Sequence, residues 1–226
     1  MKLIAPPNPG WRPGIRAQSP VSGTVSIDPK TLNSRGNYKL LNGAIVPRPI
    51  AFVTTRSDNG AVNAAPFSSF NLVASDPASV VFSIARKRDG TKKDTLVNIE
   101  RSREFVVNTV SVWMVEAINH CSAEYPYGVS ELELVGLSPI ASEVVSPPRV
   151  QESPIQMECR VHSLVEVGPG DAGSSTVIIG EVLRFHVATA AYKEGGIDLE
   201  GIQPVGRLDG VRYGLIGDMF DLDRPR

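Results

Sequence analysis

The stretch from Ile155 to Val167 alternates in chemistry almost without a break. Its odd positions are Ile, Met, Cys, Val, Ser, Val and Val, and its even ones Gln, Glu, Arg, His, Leu and Glu. Successive side chains on a strand point to opposite faces, so period two over this length predicts one long strand with an apolar face. Thr176 to Val187 is its predicted hairpin partner, with Gly168-Pro169-Gly170-Asp171-Ala172-Gly173 as a glycine-rich connection. The same glycines fit a dinucleotide fingerprint as a bare pattern. That fingerprint must leave a strand and open a helix, and here a second strand follows.

The remaining elements fit around this pair. Ile50 to Thr55 and Ala61 to Ala65 are predicted strands joined by Asp58-Asn59-Gly60, a turn that favours positive φ. Pro66 is expected to end the pairing, so that Phe67, Ser68, Ser69 and Phe70 leave as an irregular loop. Ala78 to Ala85, Glu104 to Thr109 and Val211 to Ile216 are further strands, and Lys92 to Arg101 and Val112 to His120 are short helices. Between residues 126 and 148 the chain is loop-rich, with Leu132, Leu134, Val135 and Leu137 as packing contacts. Long antiparallel strands with few helices favour a closed or partly closed barrel.

Residues 1–36 form a predicted proline-rich arm, with Trp11 and Ile15 as anchors, and 37–226 the folded domain. At 226 residues, 42% hydrophobic and 21% charged, the chain suits one domain with an extension. A net charge of -1 argues against a nucleic-acid surface. No segment has the apolar length of a membrane span, and prolines stand where a signal peptide needs an apolar core. A cytoplasmic protein is expected.

Chemistry-bearing signals are few. Cys121 and Cys159 lack metal or redox spacing and read as small buried residues, and His120 beside Cys121 does not alter this. There is no nucleophile elbow, Walker motif or zinc signature. Glu131 and Glu133 are expected to be a surface pair in a loop, and Asp94 a structural cap in a capping box with Thr91. Lys93 and Thr95 then fall in a helix's first turn, where free amides and the helix dipole favour an anion. The run Arg86-Lys87-Arg88 with Lys92-Lys93 is either a solvated loop or a seat for a small phosphorylated ligand. Residues 47–70 read as a ligand platform or as an ordinary hairpin with a polar exit.

Pro47-Arg48-Pro49-Ile50-Ala51, Asn63-Ala64-Ala65-Pro66-Phe67-Ser68, Lys93-Asp94-Thr95 and Glu158-Cys159, in that order, resemble the flavin reductase-like FMN-binding split-barrel family, flavoredoxins included. The likeness runs from about Tyr38 to Tyr213. It implies a mainly β fold with short helices, a six-stranded antiparallel split β-barrel with Greek-key character. It also implies a homodimer with noncovalent FMN near the subunit interface and no catalytic side chain or metal. Carried over by motif, Thr54 and Thr55 line the flavin edge. Ala65, Pro66, Phe67, Ser68 and Ser69 meet the isoalloxazine, Lys93 and Thr95 hold the phosphate, and Asn63, Ser83 and Arg86 are further contacts.

The implied activity is that of an oxidoreductase using NADH or NADPH, with free flavin, a monooxygenase or a small substrate as acceptor. One motif departs. Many short-chain members have Gly-Asp-His before the strand that here ends Gly180-Glu181-Val182, and this chain has Gly173-Ser174-Ser175. Direct nicotinamide oxidation by that histidine is thereby in question. His162 is a solvent-facing or hydrogen-bonded residue by pattern, or else a replacement for it. A flavoredoxin-like carrier reduced by a redox protein partner, and a nonenzymatic flavin-binding protein, are the alternatives.

Overall fold

A computed structural model describes residues 1–225. Seven strands form its main sheet: β1 (Ala51–Arg56), β2 (Val62–Phe67), β3 (Asn71–Ser75), β4 (Ala78–Ala85), β5 (Glu104–Thr109), β6 (Ile155–Val167) and β7 (Ser175–Val187). They lie in the order β2-β1-β5-β6-β7-β4-β3, with every neighbouring pair antiparallel. The helices are α1 (Ser34–Ala44), α2 (Asp94–Ser102), α3 (Val115–His120), α4 (Glu131–Val135) and α5 (Leu199–Ile202). None is long and apolar enough to cross a membrane.

The connection between β2 and β3 dictates the shape. These two strands are the opposite edges of the sheet, yet only residues 68–70 separate them. Four Cα steps reach about 15 Å at most, whereas six strand spacings in a flat sheet would separate the edges by about 29 Å. The sheet must therefore curl until its edges approach. Its inner face supplies Val53, Phe67, Phe82, Phe105, Met157, Cys159 and Ile178 to a single core, closed on one side by Leu96 and Ile99 of α2. The main sheet thus has seven strands where six were expected, and among the described residues β2 and β3 do not pair with each other.

Two strand expectations need correction. Pro66 does not end β2, which runs on through Phe67 with Pro66 opposite Phe52. As an edge strand β2 has one neighbour, so a missing N–H on its outer side breaks no ladder. In β6 the apolar parity switches midway. Ile179 stands opposite Ser163 and Gly180 opposite Val161, leaving His162 as the extra residue of a bulge. One inserted residue moves everything beyond it to the other face. Leu164 therefore packs on the core while Val165 and Val167 are exposed.

Gln156 and Glu158, on the even face of β6, are buried too, because segment 141–150 covers them, while Arg160 is exposed. Glu158, wholly buried, accepts backbone N–H groups from Glu143 (2.8 Å), Val144 (2.6 Å) and Val145 (3.1 Å) and lies 2.6 Å from His186 Nε2. Burial pushes its carboxyl up, but those amides and His186 outweigh burial and hold it below the usual value. Arg48 works comparably at the other end of the domain. Its guanidinium donates to the carbonyls of Asn42, Ile45 and Leu208, fixing the exit of α1 against the hairpin of Val205–Arg207 and Tyr213–Leu215. Helix α1 begins at Ser34 under an Asn33 cap, and Lys2–Leu3 pairs with Asp218–Met219.

Candidate functional site

A cavity of about 80 Å³ lies where the outer edge of β2 meets the start of α2. Asn63, Ala65 and Pro66 form one wall, and Lys87, Lys93, Asp94 and Thr95 a second. Segment 121–125, between α3 and α4, closes it together with Glu131.

Local sequence explains the cationic wall. Lys93 occupies the N-cap position of α2 with extended backbone and no side-chain cap, and Asp94 is the first helical residue. The expected capping box is absent: Thr91 donates both its hydroxyl (2.6 Å) and its amide (2.9 Å) to Asp89, while Asp94 accepts from Lys87 Nζ at 3.1 Å. An open first turn keeps amides that have no partner within the helix. Lys92 is tied to Glu100 at 2.6 Å and Arg86 to Glu166 at 2.7 Å. Among the described residues Lys93, half-buried, makes no ion pair. It lines the cavity without an ion-pair partner.

Behind this wall lies a buried polar relay. Asn63 Nδ2 donates to Thr95 Oγ1 (2.9 Å) and Thr55 Oγ1 (3.2 Å), and Asn98 Nδ2 donates to Thr55 Oγ1 (3.0 Å). Tyr127 in turn donates to Asn98 Oδ1 at 3.2 Å. Satisfied buried amides and hydroxyls fix rotamers, so β2 and α2 hold their cavity-facing atoms at set positions.

The structure brings together five of the expected residues, Asn63, Ala65, Pro66, Lys93 and Thr95, with Thr55 supporting them through Asn63. The others stand elsewhere. Thr54 is on the opposite face of β1, fully buried, with its hydroxyl donating to the Pro148 carbonyl, so its side chain lines no ligand edge. Phe67 points into the core against Phe82, at 5.4 Å between ring centroids. Ser69 and Ser83 bond to each other at 2.9 Å and pin the 68–70 loop to β4, with Ser68 partly exposed beside them. Arg86 makes a bidentate pair with Glu166 and lies outside the cavity lining, which leaves it no free charge for a phosphate there.

Lys87, flagged in sequence only as part of the cationic run, lines the cavity, whereas the 121–125 segment and Glu131 were given no site role from sequence. Glu131 opens α4 instead of standing in a loop, and it is buried, with Oε2 accepting the Ala64 amide at 2.9 Å. Ala64 is on the edge strand, so this carboxyl satisfies an outward N–H that has no neighbouring strand. Burial pushes the Glu131 carboxyl up and dominates over that hydrogen bond. Burial, aided by the nearby Glu131, likewise pushes the Cys121 thiol up to about 12, which makes it an inert wall. The only signal for Glu131 was a charged residue before Leu132.

Ser174, where the family motif has Asp, is tied inside the β6–β7 hairpin. It accepts the Gly170 amide and donates to Asp171. His162 is exposed at the bulge. A larger cavity of about 540 Å³ lies between Met1, Val112, Glu200, Gln203, Pro204, Leu215 and Ile216, and includes none of the residues singled out from sequence.

Solved structures share this fold. The chain is 42% identical to nitrilotriacetate monooxygenase component B from Bacillus cereus, with a TM-score of 0.86, covering 89% of this chain and 100% of that one. It is 30% identical to 2-nitrobenzoate 2-nitroreductase of Pseudomonas fluorescens, with a TM-score of 0.80 and coverage of 89% and 96%. A split-barrel domain structure from Shewanella frigidimarina has a TM-score of 0.73 at 21% identity, over 87% and 96% of the two chains, and shares the fold. The model of the flavin reductase like domain matches residues 43–201. With its curled antiparallel sheet and its match over most of the domain, the chain belongs to the flavin reductase-like domain family.

Proposed function

We propose that this protein is an NAD(P)H-dependent flavoprotein oxidoreductase that binds FMN noncovalently, with the phosphate beside Lys93 and Thr95. The observation that carries the reading is Lys93. Among the described residues it is a cation without an ion-pair partner, at a helix start with no side-chain cap, in a cavity also lined by Thr95. A phosphate dianion suits these groups, because a charge-assisted contact and first-turn amides act on it together. The chemistry of the donors thus fits a flavin mononucleotide.

Bound flavin would supply the hydride and electron transfer. The chain's own residues do the rest. Lys93 and Thr95 anchor the charged end, Asn63 orients Thr95, and the Ser69–Ser83 pair holds the 68–70 loop at the sheet edge. At about 80 Å³ the cavity is well below the roughly 300 Å³ or more of a site for a drug-sized molecule. The ring system therefore lies outside it, beside Pro66 and residues 68–70. The reading includes a homodimer, in which a second subunit covers the outer edge of β2 and excludes water.

The likeness to a monooxygenase component favours a protein that hands reducing equivalents to a separate oxygenase. Direct reduction of a small nitro compound is the second reading, favoured by the likeness to a nitroreductase. Anaerobic mixing of the FMN-loaded protein with NADH and with NADPH tests the proposal. Bleaching of the flavin bands by either donor is expected, and oxidised bands that persist with both would refute nicotinamide dependence. Failure to take up added FMN would refute the larger reading.

A further inference from the structure

Three carboxyls border the cavity, and they are not equivalent. Asp94 is paired with Lys87, and Glu124 is exposed. Glu131 is buried and, among the described residues, has no cation within ion-pair distance. A buried carboxylate without a cation in an anion's cavity would repel what the cavity holds. A neutral carboxyl there becomes a donor instead.

The Ala64 contact distinguishes the two carboxyl oxygens. Oε2 accepts the Ala64 amide at 2.9 Å, and an oxygen that accepts an N–H is the poorer place for a proton. The acid proton belongs on Oε1. We propose that Glu131 is a proton-linked specificity residue of this cavity: it is neutral when a phosphate monoester is bound and donates a hydrogen bond from Oε1 to a phosphate oxygen. Once ionised, it disfavours the same ligand. This rests on the reading that places a phosphate beside Lys93.

The electrostatic surroundings agree. Facing Glu131 are Lys93, Asp94 and Lys87 from the start of α2 and the loop before it, and Cys121, Glu124 and Tyr125 from the segment after α3. Helix α3 adds Glu116 and His120, both exposed, α4 adds the exposed Glu133, and β2 offers no charge. Burial is the main force favouring the neutral acid, with Asp94 adding to it. A phosphate placed in the cavity adds negative charge and favours the proton further. Binding therefore draws one proton from solvent at pH values where free Glu131 is ionised.

Calorimetric titration with FMN, in buffers of different ionisation enthalpy and across pH, reads this directly. Wild type is expected to take up close to one proton per FMN at high pH, with affinity falling by about tenfold per pH unit. Glu131→Gln keeps a carbonyl oxygen for the Ala64 amide and is expected to lose that dependence. The phosphate's own ionisation affects both proteins alike, so the difference between their profiles is the readout. Riboflavin, which lacks the phosphate, is expected to show no such difference.

Parallel profiles for wild type and Glu131→Gln would overturn the proposal. Lys93→Ala separates it from the reading beneath it. If that variant binds FMN normally, the placement of the phosphate beside Lys93 falls and the proposal with it; if it binds weakly while the wild-type and Glu131→Gln profiles stay parallel, the proposal alone falls. If FMN does not bind at all, carbon-13 NMR of the Glu131 carboxyl with inorganic phosphate applies the same criterion. A titration midpoint raised by phosphate supports the proposal, and an unmoved one overturns it.

Discussion

Replacing Glu158 with Gln tests how segment 143–145 is fastened to the main sheet. Glu158 has no solvent exposure, and its two oxygens accept three backbone amides of residues 143–145 and contact His186. Gln supplies one carbonyl oxygen. Placed where Oε2 was, it keeps the Val144 and Val145 amides but sets its NH2 against the Glu143 amide, and His186 must turn acceptor. Bonds to a charged acceptor contribute about 1.5 to 3 kcal/mol each and neutral ones about 0.5 to 1.5, while a buried amide left unpaired costs about 1 to 3. Weakening the bonds that remain and orphaning Glu143 gives a loss of about 3 to 5 kcal/mol, the range found when a buried charge cluster is broken.

Urea unfolding at pH 7 reads this as a lower midpoint with unchanged slope. Acid gives an independent check. The folded-state carboxyl is held below its ordinary value, so the unfolded chain binds more protons and stability rises with pH. The contribution is full above the ordinary glutamate value of about 4.3 and is lost as pH falls through the lower folded value. The gap between wild type and Glu158→Gln should therefore shrink in acid. A loss under about 1 kcal/mol at pH 7, or a gap that does not narrow, would refute the charge-based account.

Lys93→Ala should weaken FMN binding roughly tenfold to a hundredfold, while Lys92→Ala, whose lysine is already paired with Glu100, should not change it; fluorescence titration checks both. Gly180→Ala would drive a Cβ into Phe105 Cζ in the core, and a loss of about 1 to 3 kcal/mol in thermal unfolding is expected. Arg48→Lys keeps the charge but not the fork that reaches the Asn42, Ile45 and Leu208 carbonyls, and should lose about 1.5 to 3 kcal/mol by urea unfolding.

Much of this molecule was legible along the chain, because strand and helix patterns are local. Period two gave β6 from Ile155 to Val167, and β4 and β5 had the expected limits, since side-chain alternation and flanking breakers act within a few residues. The same local reasoning placed Lys93 and Thr95 at a helix start. It went wrong where a partner distant in sequence overrode it. Pro66 continues a strand only because β2 is an edge; Thr91 is a different kind of miss, a local competition in which Asp89, two residues back, takes its hydroxyl and amide.

Tertiary structure alone decided which polar residues are available. Arg86 and Lys93 belong to one cationic run, yet Glu166, on a strand eighty residues away, neutralises the first and nothing comparable meets the second. Thr54 and Thr55 are neighbours on β1, but alternation sends one to the Pro148 carbonyl and the other to the Asn63 relay. Glu131 looked like a surface acid until the edge of β2 was set against it. The sequence determined the strands, the family pattern and the cation that favours a phosphate. Folding decided burial and pairing, which depend on how the sheet curls and therefore on contacts that no local pattern records.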